Sequence, residues 1–427
     1  MFNFLLNHTP ILYLTQSLWR DEAFSVYLSE PSFSEIIRRT SGDFNPPLYY
    51  FLLHIWIGLF GNSVIALRSL SIIAFILLVI TVHIFAEKLF KNQKVVWFAT
   101  ACTLFNPMLL YFAFEVRMYS FFALFATLSM YFLHQKKWKW YIVATTLGLY
   151  TQPFMAFVIL SQVVYAIITK TVRSTIKPWT VCVLLYTPWI PTLITQCAAS
   201  GPMWIWPVDT TLVLSVVSNV FFGYEGTPPY LWQVMEVCSG LFILLLVALL
   251  RDKKIRSKIL LFLLWVFIPL SVVLAISFIK PIYVHRYVIF TTVGEVFLLT
   301  FAFNHFYKKT ITKVSALVFI LFLVWINIYT APFHRKVPLK ETFAEIETLW
   351  KQTDVILAHN PLVFFESLYY APDSHRVFLY NPNLVTPPRF VGSIGMPPHL
   401  WRDQFPHYPD RAFLVKSDGS FEIVSSL

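Results

Sequence analysis

Three short stretches of the chain gather the side chains that can do chemistry. The first reads Leu18-Trp19-Arg20-Asp21-Glu22-Ala23-Phe24-Ser25 and holds two adjacent carboxylates. Such a pair can deprotonate a hydroxyl or hold a divalent cation. The plainer alternative is two solvated loop acids. The second, Phe114-Glu115-Val116-Arg117-Met118-Tyr119-Ser120, is wedged between two apolar runs. Ionisable groups at membrane depth are costly and are paired or functional. Glu115 and Arg117 therefore either neutralise each other at a tight turn or face a polar ligand. The third stretch, Lys280-Pro281-Ile282-Tyr283-Val284-His285-Arg286-Tyr287, lies between two further apolar runs. Guanidinium forks bind phosphate bidentately, so Lys280 and Arg286 fit either an anionic lipid phosphate or simple head-group anchoring. Glu236, His54 and His83 are weaker candidates, better read as helix-end or satisfied core residues, while mid-span Glu295 fits a polar site and a hydrogen-bonded or protonated core Glu equally well. Cys102, Cys182, Cys197 and Cys238 fall in or beside apolar runs and are expected to be buried thiols.

The elements that must position these stretches follow from composition. Of 427 residues, 57% are hydrophobic and only 13% charged, against about 25% charged in a soluble domain. Mean hydropathy is +0.64. This excludes a soluble enzyme, a disordered chain and a nucleic-acid binder, despite a net charge of +11. A membrane span needs about 17–25 mostly apolar residues. Full-length candidates lie at 64–86, 95–113, 118–134, 178–195, 232–250, 259–279, 287–306 and 314–331. The run 138–169 reads as two shorter spans broken at Thr151-Gln152-Pro153, because proline interrupts a helix. The expected architecture is thus an all-α multi-pass membrane protein of about ten spans.

The charge is not spread evenly. Every second connection is basic: Lys88/Lys91/Lys94, Lys136/Lys137/Lys139, Lys170/Arg173/Lys177, Arg251/Lys253/Lys254/Arg256/Lys258 and Lys308/Lys309/Lys313. Cytoplasmic loops attract Lys and Arg, so these five are expected inside. The opposite, outer side then receives all three chemical stretches and the C-terminus, and cations at 280 and 286 run against the inside bias.

Residues 1–63 form an N-terminal outer segment carrying the Asp-Glu motif. Its first fourteen residues are too short and polar for a span and lack the basic start of a signal peptide. Either the chain begins outside or a first span is missing from it. Ser32 and Glu35 have capping-box spacing, with Phe33, Ile36 and Ile37 on one face of an interfacial helix. The 13 residues 48–60 are too few to cross comfortably and read as re-entrant or interfacial. Residues 64–331 form the transmembrane domain. Residues 332–427 alternate a helix-like segment (339–352) with strand-like runs at 354–358, 375–380, 412–416 and 421–425, and read as a small α/β extracytoplasmic domain.

With these pieces in place, residues 17–331 resemble a GT-C membrane glycosyltransferase. The resemblance is to the protein O-mannosyltransferases and lipid A aminoarabinose transferases, in their prokaryotic multi-pass branch. It rests on Trp19-x-Asp21-Glu22-Ala23, Asn45-Pro46-Pro47-Leu48-Tyr49-Tyr50, Glu115-x-Arg117-x-Tyr119, Leu149-Tyr150-Thr151-Gln152, Pro188-Trp189-Ile190-Pro191 and Pro281-x-Tyr283-x-x-Arg286-Tyr287. Three departures stand out: the first span is absent or truncated, and Asn45 and Gln152 stand where relatives often carry His.

The resemblance implies sugar transfer from a polyprenyl-phosphate donor to a lipid, glycan or protein acceptor, at the outer face of a plasma or inner membrane. Asp21 would be the general base or the ligand of a divalent metal ion, with Glu22 supporting it. Arg117, Arg286 and Lys280, with Tyr119 and Tyr287, would hold the donor phosphate. Glu115, Asn45, Gln152 and His285 would line the substrate cavity. No sugar-nucleotide fingerprint is visible in the basic loops. The rival readings are a lipid or solute transporter and a catalytically silent subunit. Against a transporter, the polar residues gather at one face rather than mid-membrane, and no internal repeat is found.

Overall fold

A computed structural model describes residues 7–198, 204–223 and 228–426. Each expected span falls on a helix. Val64–Leu89, Val172–Ala198, Pro229–Leu250, Lys253–Ser277 and Thr310–Leu349 are long and apolar enough to cross a bilayer, the last through its apolar part Thr310–Thr330. Gln93–Leu104 and Pro107–Ala113 form a sixth if counted as one span bent by 55°. The bend has a local cause. Pro107 begins the second helix and cannot continue the first, and the Asn106 side chain caps the Leu109 N–H. Tyr119–His134 and Phe290–Phe306 are shorter and almost wholly buried. Among the described residues, five helices, or six with the bent pair, are long and apolar enough to cross by themselves.

The break at 151–153 is present. Helix Trp138–Thr151 stops, Gln152 is extended, and Met155–Ile168 resumes. The long helices bury one face and leave another apolar face open, as Ile73, Ile76, Ile80, Leu241, Leu244, Leu317 and Leu321 show. Helical backbone with an apolar outside is what a lipid environment requires. One element departs from expectation: Thr210–Phe222 is a helix inside the segment read as an outer loop. Parts of that loop, 199–203 and 224–227, lie outside the described residues, as do residues 1–6 of the polar N-terminus.

Helix Arg20–Ser29 carries the acidic motif, followed by Phe33–Gly42 and Leu48–Phe60. Ser32 is the N-cap of the second, but the capping box does not form. The Ser32 hydroxyl faces Ser34, and Glu35 is taken by Arg38 and Arg39. The helix's apolar face is also divided: Ile36 is buried while Phe33 and Ile37 are exposed. The thiols divide too, with Cys102 and Cys182 buried, Cys238 half-buried and Cys197 exposed.

The C-terminal domain is a five-stranded sheet in the order β3-β2-β1-β4-β5. Its strands are β1 Val355–Ala358, β2 Val377–Tyr380, β3 Trp401–Arg402, β4 Ala412–Val415 and β5 Phe421–Val424. Only β5 runs antiparallel to its neighbour. Helix Phe364–Tyr370 follows β1 and packs on helix Arg20–Ser29, with Phe365 against Phe24 (4.7 Å between ring centroids) and Tyr27 (5.3 Å). Gly392 lets the chain pass close by. It has φ +83°, and a Cβ there would meet Phe365 and Phe24 at under 3 Å. One continuous core therefore joins membrane helices and C-terminal domain.

Candidate active site

Glu22 sits at the third position of helix Arg20–Ser29 and returns its carboxylate to the Trp19 N–H, fixing the helix start. It is fully buried. Arg68, from the first turns of helix Val64–Leu89, donates to both its oxygens at 2.9 and 2.8 Å. The Val116 N–H (3.0 Å) and Lys336 Nζ (2.7 Å) donate as well. Lys336 also reaches Glu115 Oε1 at 3.2 Å. Burial would raise the Glu22 pKa, but Arg68 and Lys336 outweigh it and hold it at about 2. Glu115 is pushed up by burial, with Lys336 opposing and the Glu22 charge adding to the rise. Glu22 thus has every oxygen engaged and belongs to the frame of the site. That differs from the expectation that it works beside Asp21.

Asp21, one residue earlier, turns the other way. Three guanidinium groups converge on it: Arg20 Nε at 3.1 Å, Arg286 Nη2 at 3.6 Å, and Arg117, whose Nη1 donates to the Asp21 carbonyl and to Ser25 Oγ. Burial would raise its pKa, yet Arg117, Arg20 and Arg286 together hold it at about 2. Among the described residues no three His, Cys, Asp or Glu side chains gather to hold a metal ion. Three cations around one carboxylate also oppose a fourth. The residues do not fit a metal at Asp21.

Arg286 is framed by aromatic rings: Trp204 at 5.1 Å, Tyr287 at 5.6 Å and Tyr119 at 5.8 Å from its guanidinium carbon. Tyr119 and Tyr287 stack on each other, and Arg117 lies 5.7 Å from the Tyr119 ring. Arg117, Arg286, Tyr119 and Tyr287 are therefore brought together with Asp21, as the resemblance implied. Burial, then the Arg286 charge, push His285 down to about 3, so it is neutral.

Lys280 is not part of this group. It is exposed and donates to the Cys197 carbonyl at 3.2 Å, at the C-terminal end of helix Ile190–Ala198, where a cation is favoured. Asn45 bonds Asp43 Oδ2 at 3.0 Å, within the turn that precedes Leu48–Phe60. Gln152 is buried at the helix break and does not line the cavity described next.

That cavity has a volume of about 490 Å³, in the range of ligand sites. Its polar lining includes Arg20, Glu115, Arg286, Lys336 and Glu366, with Trp19 and Phe112 among the apolar walls; Asp21, Arg117 and His285 are not among the lining residues. Sequence reasoning missed Arg68, Lys336 and Glu366. Arg68 carried a signal, as a lone charge in an otherwise apolar helix; the other two carried none. A second cavity of about 720 Å³ lies between helices Thr210–Phe222, Trp232–Leu250 and Lys253–Ser277. Its lining is mostly apolar, including Val213, Val217, Ile243 and Leu270, with Glu236, Ser239 and Ser271 as polar exceptions. Asn219 on the first of these helices accepts from Tyr283 Oη at 3.4 Å, linking the groove to the Arg286 turn.

Comparison with known proteins matches residues 45–194 to the family model described as dolichyl-phosphate-mannose-protein mannosyltransferase. Among solved structures, ArnT from Cupriavidus metallidurans in the apo state aligns with a TM-score of 0.64 at 12% identity, covering 95% of this chain and 90% of that one. The same protein bound to undecaprenyl phosphate aligns with a TM-score of 0.60 at 13% identity, covering 95% and 91%. At such identities the likeness is one of fold. No curated protein matches the chain.

Proposed function

Starting from a membrane chain of the GT-C glycosyltransferase type, we propose that it transfers a sugar from a polyprenyl-phosphate donor to a hydroxyl of a lipid, glycan or protein, at the outer face of a plasma or inner membrane. The observation that carries this reading is the convergence of Asp21, Arg117 and Arg286 beside a cavity of ligand size. The fold it sits in is also that of a protein solved with undecaprenyl phosphate bound.

In the proposed reaction the acceptor oxygen attacks the anomeric carbon, and the bond from that carbon to the phosphate oxygen breaks. Asp21 takes the acceptor proton, and polyprenyl phosphate leaves. Arg286 and Arg117 stabilise the charge that grows on the phosphate, with Tyr119 and Tyr287 as hydrogen-bond donors. The apolar groove beside the Arg286 turn suits a prenyl chain. Donor binding also serves the base. A phosphate drawing on Arg286 and Arg117 loosens their hold on Asp21, so its pKa rises from about 2 as the donor arrives.

Purified protein supplied with polyprenyl-phosphate mannose and an acceptor mixture should release polyprenyl phosphate; absence of release from this and other prenyl-linked sugars would remove the reading. Arg286→Ala should lower transfer roughly ten- to a hundredfold at limiting donor, because a hydrogen bond to a charged group is worth about 1.5–3 kcal/mol. It should also raise the acid limb of kcat/KM toward the ordinary carboxylate range, since a cation that favours the ionised Asp21 is gone. Full transfer by this variant would reduce Arg286 to an interfacial anchor.

The orientation rests on the basic loops. In a variant with Cys197 and Cys238 replaced by serine, a cysteine at position 254 should resist an impermeant thiol reagent on intact cells. One at exposed position 408 should react. The reverse pattern would invert the map.

A further inference from the structure

Glu366 belongs to helix Phe364–Tyr370 of the C-terminal domain, outside every motif that suggested the function. It is 6% exposed and lines the same cavity as Arg20, Glu115 and Arg286. Its Oε2 is sealed from solvent and has no hydrogen-bond partner. A buried polar atom left unsatisfied is costly, and in a side chain that lines a cavity it is accounted for by a ligand toward which the carboxyl turns. We propose that Glu366 contacts the substrate as a neutral carboxyl, donating a hydrogen bond to a hydroxyl of the transferred sugar. The C-terminal domain then completes the site rather than merely covering it. This rests on the sugar-transfer reading above.

The electrostatics agree. Burial pushes the Glu366 pKa up to about 8, with the Arg20 charge opposing and the Asp21 charge adding to the rise. Glu115, Arg286, His334, Arg335 and Lys336 face the same space. An ionised Glu366 would repel the donor's phosphodiester; a neutral one does not, and it can give a proton to a sugar oxygen as a hydrogen bond. Arg20 and Arg286, which line the same cavity, both reach the Asp21 carboxylate, so Glu366 shares its space with the groups assigned to the reaction.

The test uses the full-length protein in detergent with polyprenyl-phosphate mannose as limiting donor. Glu366→Ala should lose roughly three- to tenfold in kcat/KM, the worth of a neutral hydrogen bond. Glu366→Gln, which keeps a donor without a charge, should retain nearly all of it. The wild-type value should fall as pH rises through about 8, and Glu366→Gln should lack that limb. Dicyclohexylcarbodiimide, which attacks protonated buried carboxyls, should label Glu366 near neutral pH, and excess donor should block the labelling. Wild-type kcat/KM in Glu366→Ala, equal damage in both variants at unchanged melting temperature, or labelling that donor leaves untouched would each overturn the proposal. Failure of the wild type to release lipid phosphate would instead overturn the sugar-transfer reading.

Discussion

Asp21→Asn is expected to lose at least a hundredfold in sugar transfer while the protein still folds and reaches the membrane. The side chain's contacts in the resting site are to half-buried Arg20 and to buried Arg286, the second at 3.6 Å. Asparagine preserves its shape and part of this bonding. What asparagine cannot do is accept a proton near neutral pH. General-base catalysis is worth about 10²–10⁴ in rate, and a carboxylate among three guanidinium groups also helps to place them. The comparison requires equal membrane levels of both proteins and the same prenyl-linked donor pool. Near-normal transfer would remove Asp21 from the mechanism and turn attention to Glu115, which lines the cavity. Glu22→Gln should behave differently, losing stability as well as rate.

The second large effect concerns that frame. Arg68→Met should destabilise the protein by about 3–5 kcal/mol, the cost of leaving a buried ion without its partner. Arg68 also donates to the Gln16 and Ser17 carbonyls, so its loss frees the strand of chain that leads into the acidic helix. Adding Glu22→Leu to Arg68→Met should recover part of the loss, because the second change removes the stranded charge. A thermal-denaturation series on the two single variants and the double would reveal the coupling. Strict additivity would mean that the pair is not the link it looks to be. The pH dependence has a definite sign. Glu22 is held at about 2, so its contribution is complete above the ordinary carboxylate range and is lost as pH falls toward that value.

The contrast between these two neighbours explains what could be read from the chain and what could not. Local patterns were legible. The apolar runs, the break at Thr151-Gln152-Pro153 and four of the five strands are set by periodicity and by proline within a few residues. So was the company of Asp21, Arg117 and Arg286, through the resemblance of their motifs. Illegible were contacts between distant positions. Glu22 and Arg68 are separated by 46 residues and Glu22 and Lys336 by 314, and nothing local records either pairing. Strand β3 has only two residues and exists because β2 offers it an edge. Helix Thr210–Phe222 was hidden because its Thr, Ser and Asn residues interrupt a run of only 13. Lys280 was misplaced because its charge suggested an anion, whereas its partner is a helix-end carbonyl.

Lys336 also sets an order of events in biosynthesis. It follows the last long apolar helix in the chain, yet it closes a balance of two cations, Arg68 and Lys336, against two carboxylates, Glu22 and Glu115. A nascent chain therefore inserts all its preceding helices while one of those acids still lacks its counter-charge. Assembly around the acidic helix is finished only when the ribosome has passed position 336, so a chain halted before that point carries an unbalanced acid in its interior.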